Sequence, residues 1–365
     1  MRGTTSHCLE DALAVRRDRD ALFLRGLEYL DRNSIRGVLR NRVYRFHWNI
    51  NLYIETLASC NGRCPFCINR VNYDHRDIPD SQFIESLEEA IKLVRFLNPS
   101  VQLVGGEPTL APDRVRAIFG LIDKYALRKP VITSNGSGLA KHPELLDAIG
   151  PRLAHLNISR HHDDDRVLNQ IMRFENPLTN DRLTDLLKTS PLASKIRLNC
   201  CLLGDGIQAY ADIERYLAWT LGLGVTNVCF STLSRLPDDY YYQDELVRRT
   251  RENTVDFAAI MCDVTEDLRF TFEKSHTGSH CMYEVWRYSR DGRSCVVVFA
   301  TSNNFFARQL DCIDDLVELL VFHSDGVLAA SWNRNCKVLQ YGQGIADDNR
   351  AHHPRHAELL FQHSR

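Results

Sequence analysis

Between residues 52 and 233 six short apolar runs alternate with five amphipathic stretches. The apolar runs are Leu52–Leu57, Val101–Val104, Val131–Thr133, Leu153–Ser159, Lys195–Leu203 and Val225–Leu233. Each is short enough for a strand. Between them lie Ser81–Leu97, with Asp80 or Ser81 as N-cap, then Asp113–Leu127, Pro143–Ile149, Val167–Lys188 broken near Pro177, and Tyr210–Leu221. These stretches carry apolar residues at helical spacing. Short connections between such units imply right-handed crossovers and a parallel sheet that curls toward a barrel. Ligands of such folds sit at the carboxyl ends of the strands. Polar residues are found there: Cys60, Glu107, Asn135, Arg160 and Ser231.

The first strand runs into SCNGRCPFC, which places Cys60, Cys64 and Cys67 in a C-x3-C-x2-C triplet on a loop loosened by Asn61, Gly62 and Pro65. Three thiols in eight residues suit a metal centre better than a core. A structural zinc site closes with four protein ligands, whereas an iron–sulfur cluster held by three leaves one iron open. The nearest histidine is His75, and no fourth ligand follows within a few residues. A fragment of a zinc site, or three buried free thiols, are the alternatives.

This spacing resembles the radical S-adenosylmethionine (radical SAM) superfamily, in which CxxxCxxC follows the first strand of a partial (β/α) barrel. Phe66 occupies the usual aromatic place before the third cysteine. LVGGEP at 103–108 closes the second strand and resembles the family's GGEP motif. Two glycines let backbone groups approach a ligand, and Pro108 turns the chain. The resemblance implies that Cys60, Cys64 and Cys67 hold one [4Fe–4S] cluster whose open iron takes S-adenosylmethionine (SAM). It implies that Gly105 and Gly106 accept from SAM's amino group, with Glu107 supporting that cation directly or bracing the loop.

At the later strand ends the resemblance implies SAM contacts from Ser159 (ribose), Arg160 (carboxylate, through its rigid fork) and Asn199 (ribose). Ser134 and Asn135 either hold ribose hydroxyls or make a turn. Val228 and Phe230 either wall the adenine or pack in the core. His161 and His162, followed by Asp163-Asp164-Asp165, are not read as a second metal site, because adjacent residues of an extended chain point opposite ways. One of the two histidines is left as a candidate to line a substrate cavity.

The expected architecture is α/β: a partial (β/α)6 TIM-type barrel over 46–235, a helical lead-in over 1–45, a smaller β-rich module over 236–342 and a polar tail over 343–365. Tyr240–Tyr242 and Asp244–Asp263 read as a helical connector. Asp291-Gly292 and Asp325-Gly326 are hairpin turn signals, placing a β-rich module over the barrel mouth. HSDGVLAASWNRNC resembles the hairpin of the accessory SPASM domain or its shorter twitch form. Cys281, Cys295, Cys312 and Cys336 are separated by 13, 16 and 23 residues. That spacing lacks the paired ligands of an auxiliary cluster, so a twitch-like fold without one is expected. Cys281, Cys312 and Cys336 are candidate hydrogen-atom donors, with Tyr240, Tyr241 and Tyr242 as alternatives.

The formal net charge of −2 gives no bulk attraction to nucleic acid or an anionic membrane. No apolar run approaches the ~20 residues of a spanning helix, and the N-terminal stretch is too charged for a secretory signal. Cytoplasm is the default expectation. Twelve cysteines in a chain this long then read as reduced thiols, a few recruited to metal and others, including Cys8, Cys200, Cys201, Cys229 and Cys262, as small buried apolar groups. The implied activity is reductive cleavage of SAM and hydrogen abstraction from a small polar metabolite (a sugar, nucleotide or amino-acid derivative), with a redox-neutral outcome. A flavodoxin or ferredoxin would supply the electron. The alternatives are modification of a ribosomally made peptide and a non-catalytic iron–sulfur or zinc scaffold. The 45-residue lead-in is short for the ~80-residue winged-helix leader-binding domain that the resemblance associates with peptide modification. Oligomeric state is not legible.

Overall fold

The computed structural model describes residues 30–67, 76–175, 178–190, 192–233, 244–277, 281–302 and 313–342, with backbone alone for 244–247, 277, 281 and 302. A hairpin of β1 (Ser34–Leu39) and β2 (Arg42–His47) precedes the repeating units. The units then run β3 (Asn51–Glu55), α1 (Asp80–Val94), β4 (Ser100–Val104), α2 (Pro112–Lys124), β5 (Arg128–Ser134), α3 (Ser137–Lys141), α4 (Glu144–Ile149) and β6 (His155–Ser159). They continue with α5 (Asp165–Met172), α6 (Asn180–Thr189), β7 (Ile196–Leu202), α7 (Tyr210–Leu223) and β8 (Asn227–Thr232). Next come α8 (Asp244–Glu252), α9 (Phe257–Glu266), β9 (Phe270–Thr277), β10 (Cys281–Arg290) and β11 (Arg293–Ser302). The last strands are β12 (Leu316–Val317), β13 (Leu320–Phe322), β14 (Leu328–Ala329) and β15 (Val338–Gln340).

Strands β3 to β8 pair in sequence order, all parallel, as the six-fold alternation predicts. Their two faces differ in chemistry. On β7 Ile196, Leu198, Cys200 and Leu202 are buried, while Arg197, Asn199 and Cys201 between them are half-buried. On β8 Phe230 lies 5.4 Å from the Tyr216 ring of α7, which fixes the apolar face as the helix side. The period of two then turns Asn227, Cys229 and Ser231 to the inner face. Val228 and Phe230 are therefore core residues under α7, not walls of a ligand site.

Two expectations are corrected. Within the described part of the expected helical lead-in, Leu30, Asp31 and Arg32 are helical but the rest is a β-hairpin: Arg40 and Asn41 both adopt left-handed backbone, with φ of 47° and 63°, and turn β1 onto β2. No glycine marks that turn, so sequence gives little warning of it. The C-terminal strands do form, but they join the barrel sheet instead of lying over its mouth. β11 pairs parallel with β8 at one edge, and β13 pairs parallel with β3 at the other. The result is one twelve-stranded sheet, in the order β15-β14-β13-β3-β4-β5-β6-β7-β8-β11-β10-β9. The Asp291-Gly292 turn does connect β10 to β11, with φ of 51° and 73°, and Gly326 (φ 89°) turns β13 into β14.

Tyr240–Tyr242, His75, Cys8, Cys312 and the tail after 342 lie outside the described residues. No helix among the described residues is long and apolar enough to cross a membrane.

Candidate active site at the carboxyl ends of the strands

The cysteine loop leaves β3 and is tied down along its length. Asp77 accepts from Ala58 N (2.8 Å), and the fully engaged Arg114 donates to Thr56 O (2.8 Å) and Ile78 O (2.7 Å) with its ring-stacked guanidinium 4.5 Å over Phe83. Further along, Arg63 N donates to Met172 O at 3.0 Å and Cys67 N to Cys64 O at 3.2 Å. Gly62 N donates to Cys60 Sγ at 3.3 Å.

The GGEP segment is the loop's other support. Gly106 N donates to Leu57 O (2.6 Å) and Glu107 N to Ser59 O (3.0 Å), continuing the β3–β4 ladder past the strand ends. The glycines are required by that closeness. Gly105 has φ +116°, and a Cβ on it would stand 2.6 Å from Leu57 O; one on Gly106 would stand 1.8 Å from Ser59 O. The close approach expected of these glycines is thus made, but toward the cysteine loop.

Glu107 is 1% exposed, and its side chain braces the ends of β4 and β5. Its Oε1 accepts from Thr109 N (3.0 Å), Thr109 Oγ1 (2.5 Å) and Ser134 Oγ (2.6 Å); its Oε2 accepts from Asn135 N (2.6 Å). Burial raises its pKa, and these hydrogen bonds oppose the rise. Ser134 also accepts from Gly136 N at 2.8 Å, so its hydroxyl serves the turn. Asn135 ties β5 to the cysteine loop: its Nδ2 donates to Asn61 Oδ1 (2.9 Å) and lies 3.8 Å from Cys60 Sγ, while its Oδ1 accepts from Ser137 N (2.8 Å). Of the two alternatives for Ser134 and Asn135, this geometry is the turn.

Ser159 and Asn199 stand side by side on the inner face, with Cys229 next in register. The Asn199 Oδ1 is buried without a hydrogen-bond partner, and no hydrogen bond of the Ser159 hydroxyl is found among the described residues. A polar ligand at this face would satisfy both. Arg160 does the reverse. It is 0% exposed and points to the helix side, donating to Leu178 O (3.1 Å) and Asp165 Oδ1 (2.9 Å), contacting Asn180 Oδ1, and lying 5.5 Å over the Trp219 ring. Both terminal nitrogens are engaged within the chain on the helix side, while Nε is buried without a partner, which corrects the expected carboxylate contact. Phe66 lies edge-on to His161 at 5.2 Å and packs, like Val167 and Cys201, against the cluster of Ile171, Leu203 and Leu233.

The thiols of the triplet share one electrostatic neighbourhood. Burial pushes Cys60 up to about 11, with the charges of Glu107 and Cys67 adding to the rise. Burial likewise pushes Cys64 far up, aided by Cys67, Cys60 and Cys201. Thiols so placed stay protonated until a cation offsets both terms. Three thiol donors on one loop, with no fourth protein donor beside them in sequence, suit a cluster whose irons each take one sulfur.

Sequence reasoning missed two groups. Glu55 and His323, both buried, meet at 2.8 Å (Oε2 to Nδ1) where β3 and β13 adjoin. Cys201, read as packing, lies within electrostatic reach of Cys64 and Cys67. Only the inner-face register of β7, which needs the sheet, reveals it. Of the four cysteines weighed for an auxiliary cluster, Cys295 is 1% exposed on the helix side, and Cys336 is half-buried after β14. The register sets Cys281 opposite Ser302 but Cys295 opposite Tyr288. Along an antiparallel pair that separation is roughly 24 Å at ~3.4 Å per residue, so Cys281 and Cys295 cannot share a cluster.

Residues 54–190 match the family described as the radical SAM superfamily. The GTP 3',8-cyclase of Haemophilus ducreyi is 28% identical over 177 residues, covering 46% of this chain and 48% of that protein. The GTP 3',8-cyclase of Pasteurella multocida is 23% identical over 166 residues, 44% of this chain and 46% of that one. The chain spans about half the length of the curated relatives it matches. Among solved structures, Streptococcus suis SuiB bound to S-adenosylmethionine aligns with a TM-score of 0.47 at 15% identity, covering 84% of this chain and 64% of that one.

Proposed function

We propose, from the match of residues 54–190 to the radical SAM superfamily and the seated cysteine triplet, that this chain is a radical SAM enzyme acting on a small polar metabolite. Cys60, Cys64 and Cys67 would hold the [4Fe–4S] cluster, with Ser159 and Asn199 as the polar contacts for SAM on the inner face. When bound, the pair supplies reductive cleavage of a sulfur–carbon bond and a 5'-deoxyadenosyl radical. The chain's own part is positioning. The Gly106 and Glu107 hydrogen bonds seat the cysteine loop, Asn135 holds Asn61 beside Cys60, and Phe66 with its apolar neighbours keeps water from the loop's far side.

The observation that carries this reading is the seating of a three-thiol loop on a GGE turn, beside an inner face that leaves Asn199 Oδ1 unpaired. For substrate, a nucleotide is the first class to test, since the GTP 3',8-cyclases are named for one. A redox-neutral outcome is favoured by the wide separation of Cys281 and Cys295, which leaves those two without a shared auxiliary cluster. The electron would come from a flavodoxin or ferredoxin.

The test is anaerobic reconstitution followed by reduction in the presence of SAM. Iron content of about four per chain and formation of 5'-deoxyadenosine are expected. Cys64→Ala should abolish the nucleoside, and full retention in that variant overturns the site. Iron near eight per chain would overturn the single-cluster reading.

A further inference from the structure

Of the nine cysteines whose side chains are described, six lie outside the triplet. Cys200 and Cys295 are buried on the helix side of the sheet, Cys262 is exposed on α9, and Cys336 follows the last hairpin. Cys229 faces inward, level with Asn199 and one layer below the mouth. Cys201 is at the carboxyl end of the inner face of β7 and packs on the Ile171, Leu203 and Leu233 cluster, which also takes Phe66 from between Cys64 and Cys67.

Its surroundings are specific. Ser231, opposite it on β8, donates its hydroxyl toward Cys201 Sγ at 3.8 Å, an acceptor role that leaves the S–H free to point elsewhere. Phe66, from between Cys64 and Cys67, packs in the same apolar cluster.

A second observation points to a ligand at the same place. His161 Nδ1 accepts from Cys201 N at 3.1 Å, which puts the imidazole proton on Nε2. That side chain is 6% exposed, and no acceptor for its Nε2–H is found among the described residues. That leaves the Nε2–H, fixed in place by the Nδ1 bond, available to a polar molecule beside the half-buried Cys201.

We propose that Cys201 is the hydrogen-atom donor of this centre, with His161 as a fixed Nε2–H donor to the molecule it serves. The inference rests on the radical SAM reading of the triplet. In the step, a carbon-centred radical at the mouth takes the hydrogen atom from sulfur. The C–H bond forms, the S–H bond breaks, and a thiyl radical remains on Cys201. One electron from the external flavodoxin- or ferredoxin-type reductant and one proton from water restore the thiol, and the atoms and charge balance.

The test needs no knowledge of the substrate. The full chain, reconstituted and exchanged into D2O, is reduced with titanium(III) citrate in the presence of SAM and without added thiols. A 5'-deoxyadenosyl radical formed without substrate is then quenched by the nearest donor. The wild type is expected to give monodeuterated 5'-deoxyadenosine. Cys201→Ala and Cys201→Ser are expected to lower that deuterium at least tenfold, since a hydroxyl holds its hydrogen too strongly to replace the thiol. Cys229→Ala should retain it.

Iron content and unfolding midpoint matching the wild type show that the Cys201 variants are folded. Independently, dibromobimane added to the cluster-free protein should bridge Cys201 to Cys64 or Cys67 in peptide maps. Undeuterated nucleoside from the wild type, undiminished deuterium in both Cys201 variants, or absence of the bridged peptide each overturn the proposal. No nucleoside from any protein, wild type included, overturns the radical SAM reading itself. The bimane result separates the two failures.

Discussion

Gly106→Ala is the sharpest perturbation of the cysteine loop's seat. The added Cβ would begin 1.8 Å from Ser59 O and 2.3 Å from its carbonyl carbon, and both neighbours are backbone. No rotamer can relieve such a contact, so the chains must separate until it reaches at least 3.0 Å. That movement breaks the Gly106 N to Leu57 O and Glu107 N to Ser59 O bonds. Two hydrogen bonds at about 1 kcal/mol net, rising toward ~2 where a group is left buried and unpaired, give a loss of about 2 to 4 kcal/mol. Gly120→Ala is the matched control: it lies in α2 with nothing within 4 Å of a new Cβ. Helix propensity predicts a gain of about 0.5–1 kcal/mol there. Urea unfolding of both variants, with iron per chain after reconstitution, is the assay. Gly106→Ala should lose stability and most of its iron, while Gly120→Ala keeps both. Equal stability and iron in the two variants would falsify the seating argument.

Glu107→Gln should cost about 2 to 4 kcal/mol by chemical denaturation, because its new NH2 group faces one of four donors and the rest lose a charged acceptor; a change under 0.5 kcal/mol would show that the brace is not needed. Arg160→Met should cost about 2 to 3 kcal/mol, discounted for the partly exposed Asp165 it leaves behind, whereas a large effect on SAM affinity with unchanged stability would contradict its place on the helix side. Burial, with Arg160 adding, lowers the His161 pKa from 6.5 to about 4. The unfolded chain therefore takes up a proton below pH 6.5 that the folded chain refuses, and stability is lost as pH falls from 6.5 toward 4. The slope approaches about 1.4 kcal/mol per pH unit. His161→Gln should remove it, and an unchanged pH profile of unfolding in that variant would count against the buried, neutral imidazole.

The barrel strands were legible because each is an apolar run bounded by turn residues, and their mutual order followed from short right-handed crossovers. The triplet and GGEP were legible as chemistry. What GGEP does was only half legible, since the partner of its glycines is a backbone carbonyl two strands' turns away in sequence. Arg160 was misplaced because sequence does not say which side of a strand end a side chain leaves. Its buried position depends on Asp165, Leu178 and Asn180, all supplied by the following helices. Cys201 was hidden in KIRLNCCLL, where an apolar neighbourhood masks the one inward-facing thiol. The β1–β2 turn was missed because Arg40-Asn41 adopts a conformation that glycine usually announces.

The placement of β13 against β3 bears on how the chain is made. Glu55 and His323 meet across 268 residues of sequence. During synthesis β3, and the cysteine loop that leaves it, therefore wait beside an unpaired edge until nearly the whole described chain has emerged. Contacts of such separation form late and slowly, and an open parallel edge with apolar Leu52 and Ile54 is a site for intermolecular pairing in the interval. Cluster assembly that precedes sheet completion would be exposed to this hazard. Yield of holoprotein should thus depend on expression rate and temperature more steeply than its folded stability would suggest.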